Sequence, residues 1–214
     1  MIDVHVNGRP LQTPLGHLFQ VPTLALAQAI TEEWGKDLSP TFQKKTLTSL
    51  TATALDKVSA SRKAFITYAL HAIEKDVVLF WAEKPASLVA LQEEKWAPLI
   101  KEANDFLNLS LSPTVSFKIA PLSSAEEKRI EVFLRTLSDL TLAGFCHLLT
   151  LTSSFCLSYL ILKGHLSAEK AWNLAYLQEH TQRNLWGEDE ETLLHEKGAY
   201  EELLETIRFL QLIK

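Results

Sequence analysis

Cysteine is scarce in this 214-residue chain, which has only Cys146 and Cys156. If both lie on one helix, their ten-residue separation is roughly 15 Å of rise, too far for a disulfide, and a reducing compartment fits. Positive charge is also in short supply. With 21 basic against 26 acidic residues the net charge is −5, so no basic field exists to hold a phosphate backbone, and nucleic acid is excluded as a partner. Glycine-rich phosphate loops are absent, because Gly35-Lys36 has no upstream glycine and follows a helical pattern instead of preceding one. The seven histidines never fall in a His-x-x-x-His spacing, so a metal site would have to be assembled from distant residues, and no cofactor is expected. The amino terminus, Met-Ile-Asp-Val-His-Val, shows neither a secretory nor a transit pattern. A bacterial cytoplasm is therefore expected, or a mitochondrial matrix for a processed chain.

What is abundant is apolar surface, 47% of residues, enough for one compact chain or two small domains sharing a core. Leu140 to Leu162 runs 23 residues without an Asp, Glu, Lys or Arg, long enough to span a bilayer. Its Thr, Ser and His side chains argue instead for a central helix surrounded by other helices. His147 beside Cys146 suggests a nucleophile pair, but neighbouring helix residues point about 100° apart and no orienting third group is identifiable, so core packing is the better explanation.

The first 21 residues predict an antiparallel meander: Val4 and Val6 alternate, Asn7-Gly8 is a hairpin turn, a second strand covers 9–13, and a third covers 17–21 after Pro14-Leu15-Gly16. Thr23 is placed to cap a helix through Leu26, Ile30 and Trp34, with Glu32 and Glu33 exposed and Gly35 as its stop. A loop with Pro40 follows, and further helices are expected over 44–58, 61–83 and 85–106, the last kinked at Pro98. Val115, Phe117 and Ile119 alternate, so a lone strand over 114–119 is predicted to complete or edge the amino-terminal sheet. Ser123 and Ser124 stand three residues before Glu126 and Glu127, the spacing of a capping box. A helix over 168–185 and a last amphipathic helix complete the chain. The last helix is expected to bury Leu193, Tyr200, Leu203, Leu204, Ile207 and Leu210 and to expose Glu188, Glu196, Glu202 and their acidic neighbours.

Several of these segments carry a resemblance. Val6-Asn7-Gly8-Arg9-Pro10 with Thr13-Pro14, Val21-Pro22-Thr23, Glu33-Trp34, and Leu47-Thr48 through Asp56-Lys57-Val58 are joined by Asp76, Ala82, Gln92, Trp96 and Pro98-Leu99. Leu177, Glu179, Gln182 and Trp186-Gly187-Glu188-Asp189 complete an ordered set. The set resembles the alpha-subunit assembly chaperones of F-type ATP synthase, also called ATP synthase assembly factor 2. The resemblance implies an α+β fold. A small amino-terminal antiparallel-sheet α/β domain (1–60, with 114–119 returning to it) would be followed by an orthogonal helical bundle (61–214). It further implies no enzyme activity, and a protein, expected to be monomeric, that binds the unassembled alpha subunit before it pairs with beta. The family's important acidic position maps to Gln178 or Glu179, and Glu179 keeps the carboxylate. Trp186 and Glu188 are grouped with them as client-binding residues. The rival is a small-molecule-binding protein or enzyme with a site between the domains, assembled from Asp56, Asp76 or His180.

Overall fold

The computed structural model describes residues 1–36, 46–116, 118–186 and 190–214. Four two-residue strands, β1 (Ile2–Asp3), β2 (His5–Val6), β3 (Arg9–Pro10) and β4 (Gln20–Val21), form two antiparallel pairs, β1 with β4 and β2 with β3. Asn7 and Gly8 turn the β2–β3 hairpin with φ of 52° and 75°, the left-handed pair such a tight turn requires. Between the pairs, Leu11 N–H donates to Val4 and Phe19 N–H to Leu11. The expected meander is present, its strands shortened.

Ten helices follow among the described residues: α1 (Leu24–Lys36), α2 (Thr46–Thr53), α3 (Ser59–His71), α4 (Ala86–Leu107), α5 (Ser124–Thr136), α6 (Asp139–Thr152), α7 (Phe155–Lys163), α8 (Ala168–Ala175), α9 (Leu177–Trp186) and α10 (Glu190–Leu212). Thr23 caps α1 as expected, its Oγ1 accepting from Leu26 N–H at 3.1 Å and donating to the Leu212 carbonyl at the end of α10. Glu33 is not a solvated acid. Its carboxylate accepts from the Leu47 and Thr48 N–H groups at 3.0 and 2.9 Å, placing negative charge on the otherwise unsatisfied first turn of α2. The Pro40 loop lies outside the described residues, as does Phe117. The capping box forms at Ser123 and Glu126. α4 passes through Pro98 without ending.

Two expected helices are divided, and the two breaks meet. The one expected over 61–83 leaves α geometry after His71, and Asp76 (φ −65°, ψ 114°) opens a short 3₁₀ turn, Val77–Leu79. The 23-residue uncharged run is two helices, because Ser153 takes the left-handed conformation and Ser154 caps α7. Ser153 C=O accepts from Val77 N–H at 2.9 Å. The fully buried Asp76 carboxylate accepts from Val78 N–H at 3.2 Å and from Cys156 N–H at 2.8 Å. Among the described residues no helix is long and apolar enough to cross a membrane.

The segment 114–119, expected to edge the amino-terminal sheet, makes a single parallel bridge to Phe80 instead. Thr114 donates to Leu79 and accepts from Trp81. Among the described residues the pairing is this one bridge.

Two apolar clusters organise the interior. One joins Trp96, Ile130, Leu134, Phe145, Phe155 and Tyr159 of α4 to α7. Its Phe133, Phe145, Phe155 and Tyr159 rings meet edge-on at 5.0–5.9 Å between neighbours. The other gathers Phe19, Val21, Leu26, Ile30 and Leu47 onto Leu148, Leu203 and Phe209, so the amino-terminal elements pack directly on the last helix. That approach is close: a Cβ on Gly144 of α6 would lie 2.7 Å from Leu210 Cδ2. Asp56, in a π turn (Ala54–Val58), pins the hairpin loop from below, accepting from Thr13 Oγ1 at 2.6 Å and Leu15 N–H at 3.2 Å and contacting His17 Nδ1 at 2.7 Å. Burial pushes its pKa up, but these hydrogen bonds together outweigh burial and hold it below the usual carboxylate value.

The Asp76 junction sets a test. Burial raises its pKa against the opposing hydrogen bonds of Ser154 and Cys156, so the stability its carboxyl contributes is complete below the unfolded pKa and declines as pH rises through the folded one. Asp76→Ala strands two buried donors at about 1–3 kcal/mol each. Asp76→Asn keeps an acceptor and carries no charge. Urea unfolding should show a large loss for the alanine chain, a smaller one for the asparagine chain, and a flatter pH profile for the latter.

Candidate functional site: the α8–α10 face

Ser167 caps α8, accepting from Lys170 N–H. Tyr176 ends that helix at φ −102° and ψ 21°, so the helix expected over 168–185 is two, and α9 sets off in a new direction. Trp172 and Tyr176, four residues apart and so on one face, stack at 4.1 Å. Tyr200 of α10 closes on Trp172 at 5.4 Å, and the His180 ring lies 6.2 Å from Tyr176. The result is an aromatic row crossing from α10 to α9.

Glu196 of α10 locks the two helices together. Its carboxylate meets His180 Nε2 at 2.6 Å and forms an ion pair with Arg183. With only 14% of the Glu196 side chain and 16% of the Arg183 side chain exposed, this pair is partly desolvated, where removing one partner costs more than at an open surface. Burial raises the Glu196 pKa, yet the His180 and Arg183 hydrogen bonds and charges outweigh it and the net shift is downward. The expectation that Glu196 belongs to a solvated acidic face is thereby corrected. Tyr176 is shifted upward, first by burial and then by the charges of Glu179 and Glu196, and so stays a neutral phenol near pH 7. Beside the row lies an open depression of about 430 Å³ lined by Trp172, Asn173, Arg183, Glu196, Lys197 and Tyr200.

The four site residues expected from sequence have different placements. Glu179 stands exposed in the first turn of α9, where the helix dipole favours a carboxylate, and forms no ion pair among the described residues. Gln178 is half-buried, and its Nε2 donates to the Phe80 carbonyl at 3.2 Å, strapping α9 to the turn that follows Asp76. Trp186 is the last residue of α9. Glu188 lies outside the described residues. Sequence reasoning missed Arg183, whose i+3 spacing from His180 was the available signal.

The last helix also departs from expectation. Leu203, Phe209 and Leu210 are buried, but Leu193 and Leu204 are 38% and 42% exposed and Leu194 is 73% exposed. The core holds only the carboxyl-terminal half of α10, so the earlier turns present leucines and carboxylates together to solvent. Exposed leucines grouped in this way are the feature the candidate site rests on.

The groups that could have supported catalysis are engaged elsewhere. Cys146 and Cys156 are free and buried, on α6 and α7 rather than one helix. Burial pushes the Cys146 thiol up to about 12 and drives Cys156 well above its ordinary value, with the Asp76 charge adding to the effect. Neither is a nucleophile near neutral pH. His147 meets Glu202 at 3.0 Å. Asp56, Asp76 and His180 each bind different partners, namely the hairpin loop, the α7 terminus and Glu196. Among the described residues no three His, Cys, Asp or Glu side chains are grouped to hold a metal ion.

Comparison with known proteins gives the chain its family. Residues 1–104 match the family model described as ATP12 chaperone protein. Protein atp12, mitochondrial, of Schizosaccharomyces pombe is 31% identical over 198 residues, covering 86% of this chain and 68% of that protein. The crystal structure of Atp12 from Paracoccus denitrificans superposes with a TM-score of 0.88 at 28% identity, over 97% of this chain and 89% of that one. A protein of Agrobacterium tumefaciens superposes at 0.89 with 25% identity, over 97% of this chain and 78% of that one. These define the class as an α+β chaperone. The chain belongs to the ATP12 chaperone family, the ATP synthase assembly chaperones its sequence resembles.

The geometry separates a structural carboxylate from an available one. Glu196→Ala, which leaves Arg183 and His180 without their partner, is expected to lower stability by about 1–3 kcal/mol. Glu179→Ala, at an exposed and unpaired position, should change it by less than about 0.5 kcal/mol. Denaturant midpoints of the two variants check this contrast.

Proposed function

We propose that the protein binds the unassembled alpha subunit of the F-type ATP synthase catalytic head, keeps it from aggregating until beta takes its place, and performs no catalysis. The observation that carries this reading is the α9–α10 pair, where the exposed Glu179 carboxylate, in no ion pair among the described residues, stands on the same two helices as the exposed Leu193, Leu194 and Leu204. Apolar contacts supply attraction to a client's uncovered interface, and the carboxylate supplies register. Gln178, Trp186 and Glu188 are the further client-binding residues of this proposal. Binding must outcompete aggregation and still yield to the true partner, a balance that follows from mass action. The protein acts as a monomer, in whichever compartment the synthase is assembled, a bacterial cytoplasm or a mitochondrial matrix.

Refolding of the isolated alpha subunit, followed by light scattering and then size exclusion, tests the proposal. One equivalent of this protein should suppress scattering and co-elute with alpha. Glu179→Ala should weaken the complex about tenfold, or ~1.4 kcal/mol, with unfolding unchanged. Undiminished scattering with no complex contradicts the proposal, and full affinity in Glu179→Ala removes Glu179 from the interface.

A further inference from the structure

A second surface, formed by other helices, has the composition of a peptide-binding groove. Leu50 and Thr53 of α2, Ala64, Phe65 and Tyr68 of α3, and Cys146 of α6 surround an open depression of about 410 Å³, within the roughly 300–1,000 Å³ of ligand-binding clefts. Ala64 and Tyr68 also wall a neighbouring depression of about 730 Å³ that extends along α3 from Ala60 to His71. The two form one groove about 17 Å long at 1.5 Å of rise per residue. Its shape comes from irregular backbone. The π turn Ala54–Val58 widens the helix after α2, and Ser61 (φ −136°, ψ 36°) bends the start of α3, beside the depression that α2, α3 and α6 line. Such π insertions concentrate at functional sites.

The charge on this groove is opposite to that of the molecule. No Asp or Glu lines either depression, whereas the cations Arg62 and Lys63 line the second, in a chain of net charge −5. Arg62 is held by Asp139 and the Leu137 carbonyl, and His147 by Glu202. Lys63 and His71 are exposed and form no ion pair among the described residues. Glu74, one turn past His71, and Glu127 line a third depression that His71 shares. Tyr68 is 48% exposed, and its hydroxyl meets Thr150 Oγ1 at 3.2 Å across the rim.

We infer that this groove receives an amphipathic, acidic segment of the client, with apolar side chains over Leu50, Phe65 and Cys146 and a carboxylate beside Lys63. The inference rests on the proposed function for the identity of the client. It adds a second contact of opposite polarity to the α9–α10 face: one carries an available carboxylate, the other an available cation. Apolar anchoring with a charge at one end is how helix-in-groove complexes obtain both affinity and direction.

A photo-crosslinking amino acid placed at Ala64, and separately at Glu179, tests the inference in the complex with refolded alpha subunit. Ala64 is exposed, so the replacement leaves the core intact. The expected result is an adduct from position 64 to an alpha peptide that carries a carboxylate near apolar residues, together with about tenfold weaker alpha binding by Lys63→Glu at unchanged thermal unfolding. Adducts from position 179 alone, with full affinity in Lys63→Glu, overturn the groove and leave the client reading standing. Absence of any complex on size exclusion removes the client and, with it, the occupant assigned to the groove.

Discussion

The arrangement depends on one buried carboxylate. Asp76 sits where two interrupted helical runs meet, and it satisfies backbone donors on both sides, Val78 in its own turn and Cys156 in the first turn of α7. A carboxylate enclosed away from water is costly unless it is hydrogen-bonded. The orphan N–H groups of a helix start need acceptors equally. The donors offset part of the cost of burial, which still holds the Asp76 pKa above its ordinary value. The consequences reach the surface: the turn fixed by Asp76 presents the Phe80 carbonyl to Gln178 and pairs Leu79 and Trp81 with Thr114. Gln92 holds the next residue, accepting from Ala82 N–H at 2.8 Å. The start of α9, and with it Glu179, is positioned by a residue about a hundred positions earlier in the chain.

Much of this was legible from local chemistry. Asn7-Gly8, the Thr23 cap and the Ser123–Glu126 box are short-range signals whose satisfaction needs no tertiary partner, and each appears as expected. The polar groups scattered through the uncharged run argued for a buried bundle helix over a membrane span, and α6 and α7 are buried. What could not be read was where tertiary contacts override helical periodicity. The breaks at Asp76 and Ser153-Ser154 stabilise one another, and Tyr176 divides α8 from α9 where Trp172 and Tyr200 pack. The amphipathic pattern of α10 likewise continues past the point where the core ends, so Leu193 and Leu204 have the spacing of buried residues without a neighbour to cover them. At the site, Glu179 was legible through its resemblance to an acidic family position, whereas Glu196 and Arg183 became distinguishable from surface charges only through their mutual burial.

Histidines illustrate how this chain uses polar chemistry for architecture. His17, His147, His165 and His180 each contact a carboxylate from another element, Asp56, Glu202, Glu102 and Glu196 respectively. Together with thiols whose pKa values burial has raised, they account for the principal candidates for acid, base or nucleophile. Among the described residues, Glu179 near the exposed leucines of α10 and Lys63 in the apolar groove form no ion pair.

Hydrogen–deuterium exchange of the protein alone and in complex with the alpha subunit addresses the central claim most directly, because it reports every backbone segment at once. The account predicts slowed exchange over 177–183 and 193–204, and over 60–71 along the groove, while the interior helices α6 and α7 remain unchanged. Protection confined to other segments, or exchange identical with and without alpha, would contradict it.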